Sequence, residues 1–125
     1  MKKDTKRLPD SELEVMQVIW SQNPPVARKV VEEEMKKIHP IAQTTLLILI
    51  TRLADKGYLN IEKRGRNSEY TPLIKQEEYQ AKQSKQFFER MFGGNIGAFA
   101  SALCDSGISK EDLQELKELL DRNEL

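Results

Sequence analysis

The stretch TTLLILITRLADKGYLNIEKRGRNSEYTP, residues 44–72, changes its periodicity partway along, and that change decides the fold. In Thr44–Lys56, Leu46, Leu49, Ile50 and Leu53 recur at the three- and four-residue spacing that lines one face of a helix. Gly57 enters the left-handed conformation without penalty and reads as the C-cap. Tyr58 to Lys63 and Ser68 to Thr71 then read as short strands, joined by Arg64, Gly65, Arg66 and Asn67 and closed by Pro72. The segment is a helix followed by a hairpin with a basic tip.

Two more helices are expected upstream. Leu13, Met16 and Trp20, with Val15, Val18 and Ile19 beside them, mark a first helix from Ser11 to Ser21, and Ser11 with Glu14 reads as a capping box. Asn23, Pro24 and Pro25 interrupt it. Because proline is tolerated in a first turn, the second helix is expected to begin there and run to about Lys37, with Val26, Val30, Val31, Met35 and Ile38 inward. His39 and Pro40 separate it from the third. Three helices and a basic hairpin form the order of a winged helix-turn-helix, in which the third helix lies in the DNA major groove and the hairpin touches the backbone.

Downstream, Tyr79, Phe87, Phe88, Met91 and Phe92 fall on one long helix that Gly93 and Gly94 stop. Asn95 is placed to cap a short helix carrying Ile96, Phe99 and Leu103, which Gly107 closes. Ser109 and Asp112 start a last helix, with Ile108 and Leu113 as a hydrophobic staple and Leu113, Leu116 and Leu120 as its stripe. These apolar positions exceed what three short helices can hide by themselves. Either they fold back on the N-terminal core or they meet another chain. The symmetry of helix-turn-helix readers favours self-pairing. The expected architecture is therefore mainly α: a winged-helix DNA-binding domain over residues 1–75 and a helical dimerisation domain over 76–125.

Charge supports the same division. The whole chain carries 20 Lys and Arg against 20 Asp and Glu, a formal net charge of zero. Counted by position, residues 1–75 hold fourteen basic and ten acidic side chains, a net of +4, and residues 76–125 hold six and ten, a net of −4. A basic half meets phosphates by releasing their counterions, while an acidic half is repelled by them and suits protein contacts.

The exposed face of the third helix carries Gln43, Thr44, Thr45, Ile48, Thr51, Arg52 and Asp55, and the hairpin adds Lys63, Arg64 and Arg66. Short hydroxyls beside an arginine suit phosphates and base edges. Singly, each of these residues reads as a helix start or a solvated charge; together they read as a nucleic-acid surface. Ile48 has two readings, a stray surface apolar group or a contact to a thymine methyl.

Other chemistries lack their parts. Cys104 and His39 are the only residues of their kinds, so neither a disulfide framework nor a Cys/His metal cage forms within one chain. His39, beside Pro40, reads as a turn residue, Cys104 as a small core residue, and Glu32, Glu33 and Glu34 as a solvated helix face. No nucleophile–base pair, phosphate loop or carboxylate pair is present, so no enzyme, cofactor or metal is expected. The basic stretch Met1 to Arg7 has no apolar region behind it, and the run Leu46–Ile50 is far short of a membrane span. A soluble cytoplasmic protein without membrane insertion is expected.

The runs LPDSELEVMQVIW, TTLLILITRLADKGYL and RGRNSEYTP resemble the penicillinase-repressor family, which includes regulators of beta-lactamase and methicillin resistance and a copper-responsive branch. The match spans nearly the whole chain. The resemblance implies a dimeric winged-helix repressor on inverted repeats containing TACA and TGTA, with Thr44, Thr45, Arg52 and Arg66 as DNA contacts. In the antibiotic branch it further implies a partner, a membrane-receptor-linked protease, and cleavage of an Asn-Phe bond in the dimerisation region. Here Ala102 and Leu103 occupy that place. The copper branch resembles a pattern with paired Cys-x-Cys motifs, which this chain lacks. Ala42 also stands where the family often has a serine cap for the third helix.

Overall fold

The computed structural model describes residues 7–123. Residues 1–6 of the basic stretch Met1–Arg7 and the last two positions of the 76–125 segment lie outside the described residues. The chain divides into two compact units between Gln83 and Ser84.

The first unit contains α1 (Asp10–Trp20), β1 (Val26–Ala27), α2 (Arg28–Ile38), α3 (Gln43–Asp55), β2 (Leu59–Arg64) and β3 (Asn67–Pro72). The strands form one antiparallel sheet in the order β1-β3-β2, with Leu59 opposite Pro72 and Arg64 opposite Asn67. Three helices and a hairpin wing are thus present as expected. The inward faces of α1 and α3 are also as expected: Val15, Met16, Val18 and Ile19 are buried with Leu46, Leu49, Ile50 and Leu53. Each such side chain contributes about 1.5–3 kcal/mol on leaving water.

Gly57 ends α3 in the expected way. It sits at φ +86°, and the Tyr58 and Gly57 amides donate to the Leu53 and Ala54 carbonyls at 2.9 and 3.0 Å. These paired bonds form a Schellman ending, which turns the chain directly into β2.

Three local expectations are corrected. The second helix begins at Arg28, because Val26 and Ala27 first pair with Tyr70 and Glu69 as a short strand. Val26 is buried as expected, but from extended backbone, and Ile38 is 58% exposed. The Ser11 capping box does not form: α1 starts one residue earlier behind Pro9, whose carbonyl accepts from the Leu13 amide at 2.9 Å. Likewise α3 starts at Gln43, one residue before the expected Thr44, while Ala42, as expected, supplies no side-chain cap.

Two tertiary contacts lock the first unit. Buried Glu12 of α1 pairs with Lys56 at the end of α3. The helix α4 (Gln76–Phe92) delivers Tyr79 into the core, where its hydroxyl accepts from the Leu8 amide at 2.8 Å. Its ring lies 5.7 Å from Trp20 and 5.8 Å from Tyr58, and Trp20 Nε1 donates to the Ile74 carbonyl at 2.9 Å.

The second unit holds the end of α4, then α5 (Ile96–Asp105) and α6 (Lys110–Asn123). Its caps are those expected: Asn95 Oδ1 accepts from the Ala98 amide and Ser109 Oγ from the Asp112 amide, both at 3.0 Å. Phe88, Phe92 and Phe99 form a ring cluster with centroids 5.3–6.4 Å apart. Yet none of residues 84–122 is buried. Cys104, expected in a core, is exposed, because α5 has no core to enter. Among the described residues no helix is long and apolar enough to cross a membrane.

Candidate nucleic-acid interface

The burial of Leu46, Leu49, Ile50 and Leu53 dictates what α3 shows outward. Gln43, Thr44, Thr45, Ile48, Thr51 and Arg52 are all exposed, and Ile48 is 52% accessible. A helix with one face anchored on a rigid core holds the other face in fixed register. That is the requirement for reading base edges.

The chemistry of this face is graded along its length. At the N-terminal end, Ala42 leaves the amides of the first turn without a side-chain acceptor, and the carboxamide and hydroxyls of Gln43, Thr44 and Thr45 stand beside them. One turn further, Leu47, Ile48, Thr51 and Arg52 line a shallow depression. The Thr51 hydroxyl donates to the Leu47 carbonyl at 2.9 Å, so its donor is satisfied within the helix. Leu47 was not among the residues expected from sequence. It is half-buried at the edge of the core stripe, and only the rotation of the helix brings it to the depression beside Ile48.

The wing places Lys63, Arg64 and Arg66 at its exposed end, around the Gly65 turn, where Gly65 takes φ +65°. Arg64 Nε is 3.2 Å from Glu69 Oε1, a partner the sequence reading missed. The strand register carries that signal: Arg64 opposes Asn67, which makes Glu69 its diagonal neighbour on the same face. Along the β3 side of the wing, Glu69 and Asn67 line a cleft with Ala27, Arg28, Lys29 and Glu32, and Arg28 Nε lies 3.4 Å from Glu32 Oε2. Glu32 is therefore an ion-paired side chain. Next to it, burial raises the Tyr70 hydroxyl above its ordinary pKa of 10.0; the Arg28 charge lowers it somewhat and the Glu32 charge raises it.

His39 follows α2 as an exposed turn residue, with Nδ1 3.2 Å from Glu14 Oε1. Among the described residues no group of three His, Cys, Asp or Glu side chains is placed to hold a metal ion. Ala102 and Leu103 lie inside α5, and the residues named for self-pairing, Phe87, Phe88, Met91, Phe92, Ile96, Phe99, Leu103, Leu113, Leu116 and Leu120, are exposed or half-buried.

A helix-turn-helix core, an exposed third helix and a basic hairpin wing define a winged-helix DNA-binding protein. A family model described as penicillinase repressor matches residues 8–122. The chain is 31% identical over 122 residues to a penicillinase repressor of Bacillus licheniformis, covering 97% of this chain and 94% of that one. It is 27% identical over 124 residues to the methicillin resistance regulatory protein MecI of Staphylococcus aureus, covering 98% and 99%. Among solved structures it is similar to the DNA-binding domain of the repressor BlaI, at 36% identity and a TM-score of 0.55 over 62% of this chain and 94% of that one. The Bacillus licheniformis BlaI monomeric form in complex with the blaP half-operator is similar over the same shares, with a TM-score of 0.52. The chain belongs to the penicillinase repressor family.

Proposed function

We propose that this transcriptional repressor acts as a homodimer on double-stranded operator DNA, an inverted repeat of the TACA/TGTA type. In this reading α3 enters the major groove with Gln43, Thr44, Thr45, Ile48 and Arg52, and the wing lays Lys63, Arg64 and Arg66 against the sugar-phosphate backbone. The observation that carries it is the polar and basic outer face of α3, exposed opposite a fully anchored inner face. The domain division follows the same logic, with residues 1–75 binding DNA and the helices of 76–125 pairing the protomers, except that Tyr79 at the start of α4 serves the core of the first unit.

Self-pairing is supported by the state of the second unit. Met91 is 60% and Ile96 70% exposed, and Leu116, Leu119 and Leu120 stripe α6 at 40–49% exposure. A segment with this apolar content and no buried residue gains most by covering those side chains with a second copy. Two copies would present two α3 helices to an inverted repeat. In this reading an inducing signal, whose chemistry the sequence does not specify, relieves repression, with proteolysis in the C-terminal region as the route. Should the membrane-receptor-linked protease that the family resemblance implies act at Ala102–Leu103, α5 must first unwind, since proteases bind extended chain.

The test is selection of preferred duplexes from a random pool with the purified full chain, followed by affinities across a salt series and sedimentation of the free protein. The expected result is an inverted repeat, a dimer, and an affinity that falls linearly on log–log axes as salt rises. Recovery of no motif, with only weak binding, overturns the repressor reading and leaves a protein-binding adaptor.

A further inference from the structure

The hairpin alternates its side chains, so Lys63 and Arg64 lie on opposite faces, and Arg66 stands in the turn between the strands. Arg64 lies on the face that also carries Glu62, Asn67 and Glu69; Lys63 lies on the other face, opposite Ser68. Arg64 is held by Glu69 at 3.2 Å, and Glu62 stands directly across from Glu69. On the hairpin itself the Arg64 face carries one cation and two carboxylates, and α2 adds the Arg28–Glu32 pair and Lys29 beside Asn67 and Glu69. Among the described residues Lys63 and Arg66 make no ion pair.

We infer that the wing is electrostatically two-sided: Lys63 and Arg66 make its phosphate contacts, while Arg64 is an exposed cation whose charge the paired Glu69 offsets. The inference rests on the DNA-binding reading above and revises it at one residue, taking Arg64 out of the wing's backbone contacts. A phosphate approaching Arg64 also approaches two carboxylates, so little counterion release is available there. Lys63 and Arg66 face no such opposition. Glu69 thereby tempers affinity without touching a base.

The test measures affinity of the full chain for one fixed duplex over a salt series, with thermal melts confirming that each variant is folded. Lys63→Ala and Arg66→Ala are each expected to weaken binding and flatten the log–log salt slope by about 0.9. Arg64→Ala is expected to leave the slope unchanged. Glu69→Gln should tighten binding about two- to fivefold by releasing Arg64, as expected from the strength of an exposed ion pair. In that background Arg64→Ala should flatten the slope by about 0.9, like the other two. A wild-type slope that Arg64→Ala flattens as much as Lys63→Ala does overturns the two-sided wing while leaving DNA binding intact. A wild-type protein that binds no duplex overturns the functional reading and this inference with it.

Discussion

Tyr79→Phe removes one oxygen atom and isolates the hydrogen bond that ties the start of α4 to the N-terminal core. In the native protein the Tyr79 hydroxyl accepts from the Leu8 amide at 2.8 Å, and the residues are 4% and 1% exposed. Phenylalanine keeps the ring against Trp20 and Tyr58, so the packing term is nearly unchanged. What remains is a buried amide with no acceptor, which costs about 1–3 kcal/mol. For a domain of this size each kcal/mol lowers Tm by about 4–8 °C. Tyr79→Ala also deletes the ring and should cost about 3–5 kcal/mol. Urea unfolding followed by fluorescence reports on the site directly, because the single tryptophan, Trp20, lies 5.7 Å from Tyr79. A Tyr79→Phe variant within about 0.5 kcal/mol of wild type would refute the reasoning, since that is the range of surface substitutions. It would mean that water satisfies the Leu8 amide.

Ile48→Ala, at a position 52% exposed, should leave Tm unchanged while relaxing base preference at one position per half-site by about 1 kcal/mol. If Ile48 packs on a thymine methyl, replacing the thymine at the relaxed position by uracil, which lacks the methyl, should have the same effect on the wild type and none on the variant. Gly57→Ala forces a side chain into φ +86° and should cost about 1–2 kcal/mol of stability in a thermal melt. Tyr70 has a pKa raised chiefly by burial, so the folded state holds this proton more tightly than the unfolded chain does. Its contribution is fully present below the ordinary value of 10.0 and is lost as pH rises through the higher folded value. Stability measured above pH 10.0 should therefore fall more steeply for wild type than for Tyr70→Phe.

Much of the fold was legible from local chemistry. Leu46, Leu49, Ile50 and Leu53 sit at a spacing only a helix can bury on one side, and Gly57 ends that helix because it alone tolerates the left-handed turn. The outer face of α3 followed by elimination, and the wing from strand alternation about a glycine turn. Caps that depend on one side chain and a nearby amide, as at Asn95 and Ser109, were equally readable.

What tertiary structure decided involves partners distant in sequence. Pro24 and Pro25 are compatible with a helix start, but pairing of Val26 and Ala27 with Tyr70 and Glu69, far along the chain, draws them into a strand. Tyr79 belongs by periodicity to the C-terminal helices, yet its hydroxyl meets Leu8 across 71 positions. The state of Arg64 likewise depends on register, because a charge is free or neutralised according to what stands across the hairpin. Periodicity and capping arise within a few residues and are written locally. Strand pairing, buried hydrogen bonds and ion pairs arise between elements, and only the folded chain brings those elements together.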